Sequence, residues 1–344
     1  MIKVKAVILK SPGVVECEEV PIPKIDSGDV LIKVKASGVC GTDIEKIDGL
    51  YTASKQIIGH EVSGIILDVG EDVKNYKIGD RVFPHHHVPC YNCNYCNKGS
   101  ETMCLKYRLS NFDPGGFSEY LKFDRWNIER GGLLKIPSKM TFEEASFIEP
   151  LACCIRGLKR INIQKSETVA ILGLGTIGIL FLQLLKNKNV SNIFISEPSQ
   201  EKLGYGEMFG FSRAFNPYSI DVVDVIKQET KGVGVDVVIV STSNPASLSQ
   251  AINMVRKGGR VCLFGIPPKN TFVNVNFSGL VTDEITLITS NAATEKETKL
   301  SLKQISSKKI KVNGLISHRY QLHEFKKAFE TVKTGVGMKT IIVG

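Results

Sequence analysis

No run of apolar residues in this sequence reaches membrane-spanning length, and no block of Lys and Arg, low-complexity tract or internal repeat interrupts it. The first absence excludes a helical membrane protein, since one crossing needs about 20 consecutive apolar residues. The second removes the electrostatic footprint of nucleic-acid binding. The net charge of +9 is spread thinly, mostly on lysine, without clustered arginine and aromatic residues. A zinc-dependent nucleic-acid-binding protein therefore stays a remote alternative. The N-terminal apolar run is short and broken by lysine, so it lacks the core of a signal peptide. Without a secretion signal, nine cysteines, an odd number, read as thiols and metal ligands in a reducing compartment rather than as a disulfide framework. The expectation is a cytoplasmic protein with small-molecule partners and neither nucleic acid nor membrane among them.

What is present starts mid-chain. The apolar, β-branched run Val169–Leu172 reads as a strand covered on both faces, and it runs straight into Gly173-x-Gly175-x-x-Gly178 and then a helix. Gly173 permits the tight turn, Gly175 lets a pyrophosphate approach bare backbone at the positive end of the helix, and Gly178 lets that helix pack on the strand. A second strand, Ile193–Ser196, ends at Glu197, 19 residues past Gly178, where an acid can hold a ribose 2′-hydroxyl. Gly173, Gly175, Thr176, Ile177, Gly178 and Glu197 are the candidate cofactor-binding residues. They favour NAD over NADP, because Glu197 repels a 2′-phosphate and no arginine follows in Pro198, Ser199 and Gln200. Strands at 235–240, 259–264 and 285–289, separated mostly by helical segments, extend the pattern of a doubly wound parallel sheet. At 344 residues the chain exceeds one core of about 100 to 200 residues, so two domains are expected. The first 35 residues alternate apolar and charged positions between turn signals, as antiparallel strands do. The tail holds helices near 295–307 and 322–333 and a last strand at 340–343, and is too short to fold alone.

The first part of the chain carries metal chemistry. Cys90, Cys93, Cys96 and Cys104 form Cys-x2-Cys-x2-Cys-x7-Cys, which closes a tetrahedral zinc site with no open position, and hence a structural one. His85, His86 and His87 precede it and read as an ordinary loop. Cys40, with Thr42 two residues on, and His60 in Gly59-His60-Glu61 are each weak signals alone. Thr141 and Glu144 form a capping box for a helix running toward Glu149-Pro150. Glu149 lies in an apolar neighbourhood, where a charge needs a partner such as a metal ion.

Together, Cys40, Gly59-His60-Glu61-x-x-Gly64, the four-cysteine lobe, Glu149-Pro150 and Gly173-x-Gly-x-x-Gly178 resemble the zinc-containing medium-chain dehydrogenases, over essentially the whole chain. The likeness is to the branch holding sorbitol (polyol), threonine and galactitol-1-phosphate dehydrogenases. It implies a Rossmann nucleotide domain at 151–291 and a mainly β, GroES-like catalytic domain with a zinc lobe at 1–150, completed by 292–344. It also implies two zinc ions per chain. Cys40, His60 and Glu149 would bind the catalytic one, with Glu61 beside it or exchanging onto it and Thr42 relaying the proton. The implied reaction joins a secondary alcohol, its ketone and NAD, in a homo-oligomer, with a tetramer favoured. Two positions depart from the family pattern. Glu45 stands where many relatives, threonine dehydrogenases included, carry histidine, and Ala292-Ala293 stands where sorbitol dehydrogenases carry Arg-Tyr. Both departures point away from threonine and sorbitol as best substrates.

Overall fold

The computed structural model describes residues 2–50 and 57–344 and divides them into two compact units, one of residues 1–152 and 292–344 and one of residues 153–291. The first unit is built on strands. β1 (Lys3–Ser11) and β2 (Val14–Pro21) form an antiparallel hairpin. β3 (Val30–Gly38), β4 (Glu61–Val69), β5 (Arg81–Pro84), β6 (Tyr120–Phe123) and β7 (Leu133–Lys135) belong to a seven-stranded sheet. Val30, Ile32, Val34, Val62, Ile66, Val82 and Phe123 pack its core, the period-2 placement of apolar residues on neighbouring strands bringing them to one face.

The second unit is one parallel sheet: β8 (Val169–Leu172), β9 (Ile193–Ser196), β10 (Arg213–Phe215), β11 (Val235–Val240), β12 (Val255–Leu263) and β13 (Thr286–Thr289), in the order β10-β9-β8-β11-β12-β13. β8, β9 and β11 are buried almost throughout, as strands covered by helices on both faces must be. The order reverses between β8 and β11, which makes the carboxyl end of β8 the topological switch point of the sheet.

β14 (Ile316–Gln321) and β15 (Lys339–Val343) return to the first sheet, with β15 antiparallel to β3. Register then decides the site. Gly38 at the end of β3 faces both Glu61, the first residue of β4, and Ile341 of β15, and Val39 N donates to Thr340 O at 3.0 Å. Three strand ends therefore meet where Cys40 begins the next helix.

Three elements differ from the sequence reading. β10 and β14 are strands although their apolar content is too low to signal them: both lie at sheet edges, with part of each strand in solvent. The capped helix at Thr141 ends at Ser146, and a new helix, Ile148–Ile161, carries Pro150 in its first turn, where a missing N–H costs nothing.

Candidate active site and cofactor site

The strand-end junction collects the first set of donors. Cys40 is the N-cap of the helix Gly41–Ile47, and His60 and Glu61 arrive from the start of β4. One ligand atom from each of Cys40, His60 and Glu61 lies within 4.8 Å of the others. Gly59, at φ +79°, turns the chain into this position, and a side chain there would strike the backbone of Gly116 and Phe117. The hydroxyl of Thr42 donates to Cys40 Sγ at 3.3 Å. Glu149, buried in the first turn of its helix, stands outside the mutual set; burial raises the carboxyl of Glu61, and the charge of Glu149 adds to that rise. Glu45 is half-buried, and burial pushes its carboxyl up.

Two residues without a role in the sequence reading organise this cluster. Asp43, fully buried, accepts from Cys40 N at 3.2 Å and Gly59 N at 2.9 Å, and its Oδ1 lies 3.2 Å from His60 Nδ1. Burial opposes its ionisation, but His60 and the Gly59 N–H bring it to about 2. In turn Asp43 and Cys40 carry His60 well above the ordinary imidazole value, against burial. The Asp43 bond occupies Nδ1 and leaves Nε2 for a metal, as an outer carboxylate does for a ligating histidine. Lys339, also buried, pairs with Glu61 Oε2 and donates to Val39 O at 3.1 Å. Burial alone would lower its ammonium, but Glu61, Cys40 and Glu149 raise it. The spacing Cys40-x-x-Asp43 at a helix start was a usable signal for Asp43. Nothing local marked Lys339, whose partner comes from β4.

The second set is Cys90, Cys93, Cys96 and Cys104, whose sulfurs also fall within 4.8 Å of one another. Cys93 and Cys96 lie 3.5 Å apart, as do Cys104 and Cys90. The Asn92 N–H draws Cys90 down to about 6, while burial and the neighbouring thiols push Cys96 up to about 12. Four thiols so crowded cannot all ionise without a cation, and a zinc ion supplies the missing charge. All nine cysteines are free thiols. Of the three histidines, His85 is buried with Nδ1 3.2 Å from Glu295 Oε1, His87 Nδ1 donates to Ser110 O at 2.8 Å, and burial lowers His87 to about 3. They lie in the loop after β5, with His85 and His86 buried and His87 half-buried.

In the second unit Gly173, at φ +90°, makes the turn off β8, and Gly175 caps the helix Thr176–Asn187. A methyl at Gly178 would sit 2.2 Å from Gly173 O, whereas one at Gly175 would enter open space. The bare surface above Gly175, at a helix N-terminus, fits a pyrophosphate. Thr176 and Ile177 begin that helix. Glu197, buried at the end of β9, accepts from Leu174 N at 2.7 Å through Oε2 and from Ser199 N at 2.9 Å through Oε1. Each oxygen keeps a lone pair for a ribose hydroxyl.

A GroES-like unit with a cysteine lobe and, in the same chain, a six-stranded Rossmann sheet define the class of zinc-dependent oxidoreductases that act on CH–OH groups. Residues 26–137 match the description "Alcohol dehydrogenase GroES-like domain" and residues 176–307 match "Zinc-binding dehydrogenase". The chain is 30% identical to the L-threonine 3-dehydrogenase of Caldanaerobacter subterraneus subsp. tengcongensis over 93% of each chain. It is 28% identical to a sorbitol dehydrogenase of Halalkalibacterium halodurans over 94% of each. Among solved structures, a putative zinc-binding dehydrogenase from Sinorhizobium meliloti, bound to NADP, superposes over all of both chains with a TM-score of 0.92 at 27% identity. The chain belongs to the zinc-containing medium-chain dehydrogenase family. Among the described residues no helix is long and apolar enough to cross a membrane.

Proposed function

We propose that this enzyme interconverts a secondary alcohol, carried by a polyol, a sugar derivative or a small diol, and its ketone, with NAD as the hydride carrier. The observation that carries the reading is the mixed thiolate, imidazole and carboxylate set of Cys40, His60 and Glu61, a donor chemistry that suits zinc and leaves room for a substrate oxygen. By the family likeness Cys40, His60 and Glu149 would hold the ion, and Glu61, drawn into the same cluster and tied to Lys339, would be the ligand that exchanges with Glu149. Zinc bound there would act as a Lewis acid on the substrate oxygen, and NAD would accept the hydride. Asp43 fixes the imidazole of His60. Thr42, beside Cys40 Sγ, accepts the proton of the substrate hydroxyl and passes it on. Glu197, with both oxygens pinned at the lip of the glycine turn, selects a free 2′-hydroxyl. An open sheet edge at β13, with Leu287 exposed on it and Phe277 and Val281 exposed on the preceding helix, supports assembly of copies into an oligomer, a tetramer by family likeness. Nine free thiols are consistent with a reducing compartment, the cytoplasm.

A second reading, threonine 3-dehydrogenase activity, is favoured by the relative at 30% identity. Glu45 opposes it: a half-buried carboxylate three residues from the relay hydroxyl on the same helix would repel a substrate carboxylate. The deciding experiment is an absorbance screen of sorbitol, xylitol, galactitol, a sugar-alcohol phosphate, threonine, 2,3-butanediol and 2-propanol with both nicotinamide cofactors. A secondary hydroxyl on a neutral or phosphorylated polyol or diol should give the highest kcat/KM. Threonine leading by a wide margin, or oxidation of primary alcohols alone, ends this reading.

A further inference from the structure

The four-cysteine lobe does more than close on itself. Three side chains tie it and the turn after it to the chain that returns at 292. Tyr107 Oη donates to Ala293 O, Lys296 Nζ donates to Glu101 Oε1 at 2.8 Å, and Tyr91 Oη donates to Glu295 Oε2. Tyr91 is the unusual member. It sits between two of the cysteines at φ +60°, a conformation glycine takes freely and a side-chain-bearing residue takes at a cost of about 1 kcal/mol. What the tyrosine adds is the phenol on Glu295.

Glu295 is 2% exposed, and its other oxygen faces His85 Nδ1 at 3.2 Å. His85 is fully buried, and its carbonyl is held with that of His86 by the Asn127 amide, at 2.9 and 3.1 Å. The His85 ring meets His86 edge-on at 5.6 Å, and the His86 ring lies 5.1 Å from His60. Direct contacts therefore lead from the lobe, through one carboxylate, to a ligand of the Cys40 set. If the Tyr91 bond is lost, a buried carboxylate is left short of a donor and must reorient, and His85 turns with it. Packed rings transmit such a shift rather than absorb it.

We propose that the lobe and the Cys40–His60 metal site are energetically linked through Glu295, a positioning residue, so that a loaded lobe slows metal loss from the second site. The proposal rests on reading both donor sets as zinc sites. Coupling of this kind is reciprocal, and typical values alter affinity by about 5- to 150-fold.

The test follows zinc release from the holoenzyme into excess chromophoric chelator, with the Cys40-site phase identified by its absence in Cys40→Ser. Tyr91→Phe keeps every metal ligand and should speed release from the Cys40 site about ten-fold. Glu295→Gln, which cannot accept from both neighbours through one oxygen, should act in the same direction. Tyr107→Phe removes the bond to Ala293 O, keeps the ring and leaves every contact from Tyr91 to His60 in place, so it should leave that phase unchanged. Cobalt in the Cys40 site should show a shifted visible spectrum in Tyr91→Phe but not in Tyr107→Phe. Equal effects of Tyr91→Phe and Tyr107→Phe, or no effect of Tyr91→Phe in a two-zinc enzyme, overturn the linkage alone. A single zinc in fully active enzyme overturns the two-site reading and the linkage with it.

Discussion

Asp43, the one buried side chain in the first turn of its helix, receives the Cys40 and Gly59 amides and lies against His60 Nδ1. Its carboxyl is drawn from 3.8 to about 2, so its stabilising contribution is complete above pH 4 and is lost as the pH falls through about 2. A shift of nearly two units corresponds to about 2 kcal/mol. In chelator-treated protein, denaturant midpoints from pH 5 down to 2 should fall more steeply for the unmutated enzyme than for Asp43→Asn, and parallel profiles would remove the role. Glu197 is the other residue on which much depends. Glu197→Ala should cut kcat/KM with NAD roughly ten-fold, the value of a lost charge-assisted pair of hydrogen bonds, and leave NADP less affected. If the ratio of the two cofactors did not move, Glu197 would have no part in choosing between them.

Two glycine-bearing helices make contrasting demands. In the helix Gln200–Glu207, a side chain at Gly204 meets nothing within 4 Å, so Gly204→Ala should raise stability by about 1 kcal/mol. In the helix Thr176–Asn187, a methyl at Gly178 would be driven against Gly173 O. Gly178→Ala should cost roughly 1 to 3 kcal/mol and weaken dinucleotide binding as the turn opens. Thermal melts with and without NAD check both, and a Gly178→Ala protein as stable as its parent would show that the close packing is not required. The same scale explains what the sequence reading missed. β10 and β14 form because neighbouring strands supply hydrogen-bonding edges, whatever their own apolar content.

For the molecule as a whole, the two donor sets carry different consequences. Two zinc ions per chain are expected, and Cys93→Ser should lower stability or assembly, while Cys40→Ser should abolish turnover and keep the fold. Metal analysis beside circular dichroism separates these outcomes, and full activity in Cys40→Ser would refute the assignment. The cysteine lobe and the glycine turn were legible from sequence because both are local. Four ligands within 15 residues, or a strand, a turn and a helix in succession, need no distant partner to declare their chemistry. The family-level fold was legible for the same reason, through motifs in a set order. The Cys40 set was visible as residues but not as a place. Its geometry depends on β3 pairing with β4 and β15 in one register, which alone brings Lys339 to Glu61. The Tyr91, Glu295 and His85 contacts likewise join residues far apart in the chain. Spacing along a chain cannot encode such meetings, because burial and strand register, set by the whole sheet, choose which distant charges must share a site.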